Sequence, residues 1–228
     1  MIVIRELAKY KNGKLARDKA RFFKTNKGEY AAGDKFVGIT VPRLRLISKK
    51  FKNLSLADIL MLLKSKYNEY RTIALIFLID LYARYNNKKY ITFYLKNLKF
   101  VNNWNLVDIS ASKLLGHYLY ENNLSTKILY KLAKSKNIWY RRIAIVSTYY
   151  FIRRNMFYDT LKLAKLYFDD GHHLIHKATG WMLREIGKKN KKVLINFLNM
   201  YHYQMPKIML YYASEHLSSN EKRNILSR

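Results

Sequence analysis

Tyr70-Arg71-Thr72-Ile73-Ala74 comes back as Tyr140-Arg141-Arg142-Ile143-Ala144, and again as Ile175-His176-Lys177-Ala178-Thr179. The segments stand at multiples of about 35 residues, the period of stacked helical pairs rather than of one compact core. Each combines basic with small and apolar residues, a pattern that predicts helices turning cations one way and burying the other face. One period before the second segment lies Asn103-Trp104-Asn105-Leu106-Val107-Asp108, with an aromatic ring and a carboxylate in place of cations. A row of basic helices with one acidic exception predicts a polyanion-binding surface with chemistry built into it.

Outward from these segments the chain keeps a helical grammar. Its only prolines are Pro42 and Pro206 and it has just 8 glycines, which favours long helices with short connections. Thr25 to Gly38 reads as a loop, followed by a helix opening at Pro42, where proline suits the first turn. Ser55 with Asp58 and Ser218 with Glu221 have capping-box spacing. Leu56, Ile59, Leu60, Leu62 and Leu63 fill one helical face, and Ile128, Leu129 and Leu132 another. No linker or low-complexity segment interrupts residues 1–228, so the expectation is a single all-α domain of about six helical pairs.

Charge narrows the partners. Half of the residues are hydrophobic, which excludes a disordered tail. The formal net charge of +29 predicts nucleic acid or an anionic membrane surface as partner. Lysine outnumbers arginine and Asn, Ile and Tyr are abundant, as an AT-rich genome also dictates. A protein-binding scaffold charged by drift is therefore a rival reading. The absence of cysteine removes disulfides, thiolate metal sites and cysteine nucleophiles together. Met1-Ile2-Val3-Ile4-Arg5-Glu6 lacks the apolar run of a signal peptide, and Asp80 breaks the run from Ile73 to Leu81. A soluble, intracellular, cytoplasmic protein is expected.

Trp104 and Asp108 are spaced to meet on one helix face. Trp181 precedes Arg184 and Glu185, and Trp139 precedes Tyr140-Arg141-Arg142, so all three tryptophans are expected at corresponding parts of repeats. A carboxylate beside aromatic faces makes a site for something cationic or becoming so. The plainer alternative is that the tryptophans are core and that Asp108 pairs with Arg141 or Arg142. His172, His173 and His176 form an HHxxH run, with His172 and His176 expected on one face, yet no zinc spacing fits and no metal or cofactor is expected. The 20 tyrosines suit base stacking and a cysteine-free core equally.

At these residues the sequence resembles the AlkD-like family of DNA alkylation-repair glycosylases, which are built from HEAT-like helical repeats. The matching stretches are Gly33-Asp34-Lys35-Phe36-Val37-Gly38-Ile39-Thr40-Val41-Pro42-Arg43-Leu44-Arg45, then Val101 to Asp108, Trp139 to Ala144, His176 to Lys188 and Met205 to Leu210. They run in order from Arg21 to Ser214. The resemblance implies a right-handed solenoid of HEAT-like antiparallel helical repeats with a basic concave face. It also implies a monomeric enzyme that hydrolyses the N-glycosidic bond of N3- and N7-alkylated purines, 3-methyladenine and 7-methylguanine, in duplex DNA.

On that resemblance Trp104 and Trp181 pack against the deoxyribose of the damaged nucleotide. Asp108 is the catalytic carboxylate, and Arg142 a phosphate or backbone contact. Arg45 falls at a DNA-contacting position, and Arg141, Lys177 and Arg184 are further expected DNA contacts. For the N-terminal aromatic of the family, Phe22, Phe23 and Tyr30 are the candidates. An alkylated purine already carries positive charge, so it leaves without a general acid and one carboxylate suffices where most glycosidases need two. Family members grip the duplex from outside and leave the lesion stacked, in contrast to enzymes that flip the base. The family also contains members that bind DNA without cleaving it, so a non-catalytic binder of damaged, bent or branched DNA is the alternative.

Overall fold

The computed structural model describes residues 2–52 and 54–226. Among them are sixteen α-helices and no strand, with one isolated bridge between Lys35 and Tyr67. None of the helices is long and apolar enough to cross a membrane. The chain divides into two compact units, Met1–Ser110 and Ala111–Arg228.

The first unit contains α1 (Ile2–Ala8), α2 (Gly13–Phe22), α3 (Val41–Lys50), α4 (Leu56–Leu63), α5 (Asn68–Tyr85), α6 (Lys88–Lys96) and α7 (Trp104–Ser110). Its axis is α5, against which α3, α4, α6 and α7 all pack. Being covered by several neighbours, α5 is buried continuously from Asn68 to Leu78 and carries no polar stripe there. Both predicted local signals are present. Ser55 and Asp58 close a capping box on α4, and Pro42 stands in the first turn of α3.

The loop that the sequence places between Thr25 and Gly38 is not left loose. The Glu69 carboxylate on α5 accepts from the backbone N–H groups of Val37 (3.0 Å), Gly38 (3.1 Å) and Ile39 (3.3 Å). Lys19 of α2 completes the clamp at 2.9 Å. Gly38 itself sits at φ +79, and a Cβ there would collide with the Asn12 carbonyl oxygen. Only glycine fits both demands.

The second unit opens on a π-helical turn, Ser112–Gly116, with the Gly116 N–H reaching the Ala111 carbonyl at 3.0 Å. It continues through α8 (His117–Glu121), α9 (Lys127–Ala133), α10 (Ile138–Ser147), α11 (Tyr149–Ile152), α12 (Tyr158–Leu166), α13 (His173–Lys189), α14 (Lys191–Tyr201), α15 (Lys207–Ala213) and α16 (Ser219–Leu226). Here α13 is the axis, packed by α10, α12, α14 and α15. The α13–α15 approach passes over Gly180, where a Cβ would meet the Met209 carbonyl and the Tyr212 side chain. Ser218 and Glu221 form the reciprocal cap predicted for the last helix.

The repeated segments do lie near the starts of α5, α10 and α13, but their cations are not all turned outward as expected. Arg71 is buried and bonds Asp34 at 2.6 Å, and Arg142 is buried and donates to the Leu174 carbonyl at 2.6 Å. A guanidinium at a tightly packed helix start is better satisfied by carbonyls and a carboxylate than by a surface its stem cannot reach. The tryptophans also depart from the expected register. Trp104 and Trp139 stand at the starts of α7 and α10, whereas Trp181 lies about two turns into α13. Leu174 occupies the equivalent slot there, buried like Trp139.

Candidate active site

In the first unit the candidate site residues Trp104 and Asp108 both lie on α7. Trp104 opens the helix and Asp108 follows one turn later, both partly exposed. Phe23 lies flat on the indole of Trp104, with ring centroids 4.7 Å apart and planes 7° from parallel. Phe22 meets the same indole edge-on at 5.9 Å and is 68% exposed. Phe36 backs Phe23 at 4.9 Å. Of the N-terminal candidates, Phe22 and Phe23 both join Trp104. Such contacts stiffen an indole that would otherwise be free to rotate.

Beneath the rings is a buried polar network centred on Asp34. Its Oδ1 accepts from Arg71 Nη2 at 2.6 Å, and its Oδ2 accepts from Asn103 Nδ2 at 2.8 Å and Asn68 Nδ2 at 3.1 Å. Asn105 and Asn68 exchange amide hydrogen bonds, at 2.8 and 3.2 Å. The residues on either side of Trp104 are thus both fastened, Asn105 to α5 and Asn103 to the loop before α3. Asp34 lies within the Gly33 to Arg45 stretch, where its spacing alone assigns it no role. The available signal is the scarcity of carboxylates, 15 against 44 basic residues, which makes an acidic residue inside a motif stand out.

In the second unit Trp181 is partly exposed on α13, where its Nε1 donates to Glu185 at 3.2 Å and Tyr149 tilts against it at 6.0 Å. Arg142, on α10, holds the first turn of α13 through the Leu174 carbonyl. Arg141 is bidentate to Asp170, at 2.7 and 3.3 Å, and also donates to the Ser135 and Lys136 carbonyls. Arg184 pairs with Glu215 and stands 3.8 Å from Glu185. Arg45 is exposed on α3 and Lys177 is partly exposed on α13. Of the four expected DNA contacts, Arg141 and Arg184 are therefore engaged by carboxylates.

His172 serves as a cap rather than as a residue of α13. It stands one residue before the helix, where its Nδ1 accepts from the Leu174 N–H at 3.1 Å. Burial, followed by the charge of His173, holds its pKa below the usual 6.5. A neutral ring suits this role, because only an unprotonated nitrogen can accept. Among the described residues no group of three or more His, Asp or Glu side chains is placed to hold a metal ion.

Comparison with known proteins gives a consistent result. The profile of a family described as DNA alkylation repair enzyme matches residues 3–217. A solved structure described as a predicted DNA alkylation repair enzyme from Enterococcus faecalis superposes with a TM-score of 0.75 at 19% identity. The match covers 92% of this chain and 97% of that one. No curated protein matches the sequence.

Proposed function

Since this chain belongs to the DNA alkylation repair enzyme family, we propose that it is a DNA glycosylase of the AlkD-like type. Its substrates are cationic N3- and N7-alkylated purines in duplex DNA, with 3-methyladenine and 7-methylguanine as the simplest. We read its helical pairs as HEAT-like repeats. The observation that carries this reading is the pairing on α7 of a rigidly seated indole, Trp104, with a partly exposed carboxylate, Asp108.

The reaction needs little from the protein. The alkylated purine departs with the electron pair of its glycosidic bond and becomes neutral as it leaves, so no proton donor is required. Positive charge moves onto C1′ and the ring oxygen of the deoxyribose. Asp108 stabilises that oxocarbenium ion electrostatically, and the π face of Trp104 adds to the stabilisation. The same carboxylate orients water and takes a proton from it as the new C1′–O bond forms. Trp181 supplies an aromatic face and Arg142 a positioning contact. Arg45 and Lys177 contact the phosphate backbone. The lesion stays stacked throughout.

Base release from methylated duplex DNA under single-turnover conditions tests the proposal. The parent protein should release 7-methylguanine or 3-methyladenine, and Asp108→Asn should bind DNA equally well while releasing none. Release by Asp108→Asn at the parental rate would overturn the mechanism. Tight, salt-sensitive binding by both proteins with release by neither would instead favour a DNA-binding member of the family.

A further inference from the structure

Asn103 stands immediately before α7 and acts as its N-cap in one respect only. Its carbonyl accepts from the N–H groups of Leu106 (3.2 Å) and Val107 (3.1 Å), which begins the helix. An asparagine in this place ordinarily also offers its side-chain oxygen to the helix. Asn12, Asn87, Asn137 and Asn190 all do so at the starts of α2, α6, α10 and α14. Asn103 does not. Its side chain turns inward, donates to Asp34 at 2.8 Å, and leaves its own Oδ1 buried without a partner.

A buried polar atom without a hydrogen bond is costly, so its persistence calls for an explanation. The compensation is geometric. Asp34 is itself held by Arg71 and Asn68 of α5, so Asn103 ties the first residue of α7 to a rigid, buried frame. On the far side of Trp104, Asn105 is locked to Asn68 by two hydrogen bonds between their side-chain amides. Trp104 lies between two anchored residues, and Asp108 follows on the same short helix. A cap made from the Asn103 side chain would satisfy α7 alone and give up the tie to Asp34, leaving the start of the helix less firmly held.

We infer that Asp34 is a positioning residue: acting through Asn103, it sets the rotation of α7 that presents Trp104 and Asp108 to the substrate. This rests on the glycosylase reading above. Asp34 touches no reacting atom, and its contribution is to hold the carboxylate and the indole where the cation develops. Reacting groups displaced by about an ångström lose on the order of 100-fold in rate.

The test uses the full-length chain labelled with 5-fluorotryptophan, whose three tryptophans give three fluorine signals. Trp104→Phe assigns the relevant one. Asn103→Ala is the first variant, because it removes a single hydrogen bond and an oxygen that has no partner. Asp34→Asn is the second, and Leu62→Ala, in the core of α4, controls for lost stability alone. The expected result is that the Trp104 signal moves in Asn103→Ala and Asp34→Asn while those of Trp139 and Trp181 stay in place. Single-turnover release of 7-methylguanine should fall about 10- to 100-fold in the same two variants, with unchanged DNA affinity. Leu62→Ala should show neither change.

An unmoved Trp104 signal in a folded Asn103→Ala protein overturns the inference, and so does a parental release rate in both variants. If the parent itself releases no base, the glycosylase reading falls. The fluorine signal still decides, separately, whether Asp34 and Asn103 seat Trp104.

Discussion

Ser65 to Arg71 and Ser135 to Arg141 are one turn built twice, once in each unit. In both, the serine hydroxyl accepts from the backbone N–H two residues on, at 3.1 Å in each case. In both, the arginine reaches back to the serine carbonyl, at 3.0 Å and 2.9 Å. The carboxylates that complete them come from opposite directions. Asp34 lies 37 residues before Arg71, whereas Asp170 lies 29 residues after Arg141. The first carboxylate collects donors from α5 and from Asn103 just before α7, the second from Arg141 and the backbone N–H of His172. A repeat thus fixes its own turn, but tertiary context determines what the turn is used for. One turn frames the candidate catalytic helix, while the other ties α10 to the loop before α13.

The largest difference should appear when each carboxylate is removed. Asp34→Ala leaves Arg71 as a buried charge without its carboxylate and orphans the Asn103 amide, so urea unfolding should show a loss of about 3–5 kcal/mol. Asp170→Ala should cost less, about 1–3 kcal/mol, because Arg141 keeps its two carbonyl acceptors and is less deeply buried. Equal losses would mean that the two carboxylates play equivalent parts. Ser65→Ala and Ser135→Ala probe what the turns share. Each should lose about 0.5–1 kcal/mol and the two should agree, since the hydrogen bonds match. A clear inequality would break the equivalence of the turns.

The smallest effect belongs to the cap beside the second turn. His172 has a folded pKa below its unfolded value near 6.5, so the unfolded chain takes up a proton first as pH falls. The stability it contributes is therefore complete above that value and is lost as pH drops below it. His172→Asn keeps a side-chain acceptor for Leu174 and does not titrate. Its unfolding free energy should decline less steeply below pH 6.5 than that of the parent. Some slope should remain, because burial lowers the His117 pKa in the same direction. An unchanged slope would show that His172 is not the titrating cap.

Periodicity, capping spacing and sparse proline were enough to read an all-helical chain, because helix starts are local events governed by a few neighbouring residues. Trp104 and Asp108 were legible as a pair for the same reason, since spacing on one helix fixes which side chains share a face. What spacing could not reveal was the direction of a cation. Arg71 and Arg141 read as surface charge and prove to be internal ties, because an arginine follows whichever carboxylate the fold brings within reach. Nor could it place Trp181, which shares a residue type with Trp104 and Trp139 but not their position in the helix.

By itself, then, the sequence determined the helices, the overall charge and the residues on α7 able to act on a cation. Only the tertiary structure made Asp34 a hub, set Phe23 flat against Trp104 and left the Asn103 oxygen without a partner. These depend on groups tens of residues apart meeting in a buried space. There an unpaired polar atom is costly, so the surrounding packing, rather than local propensity, decides which bonds form.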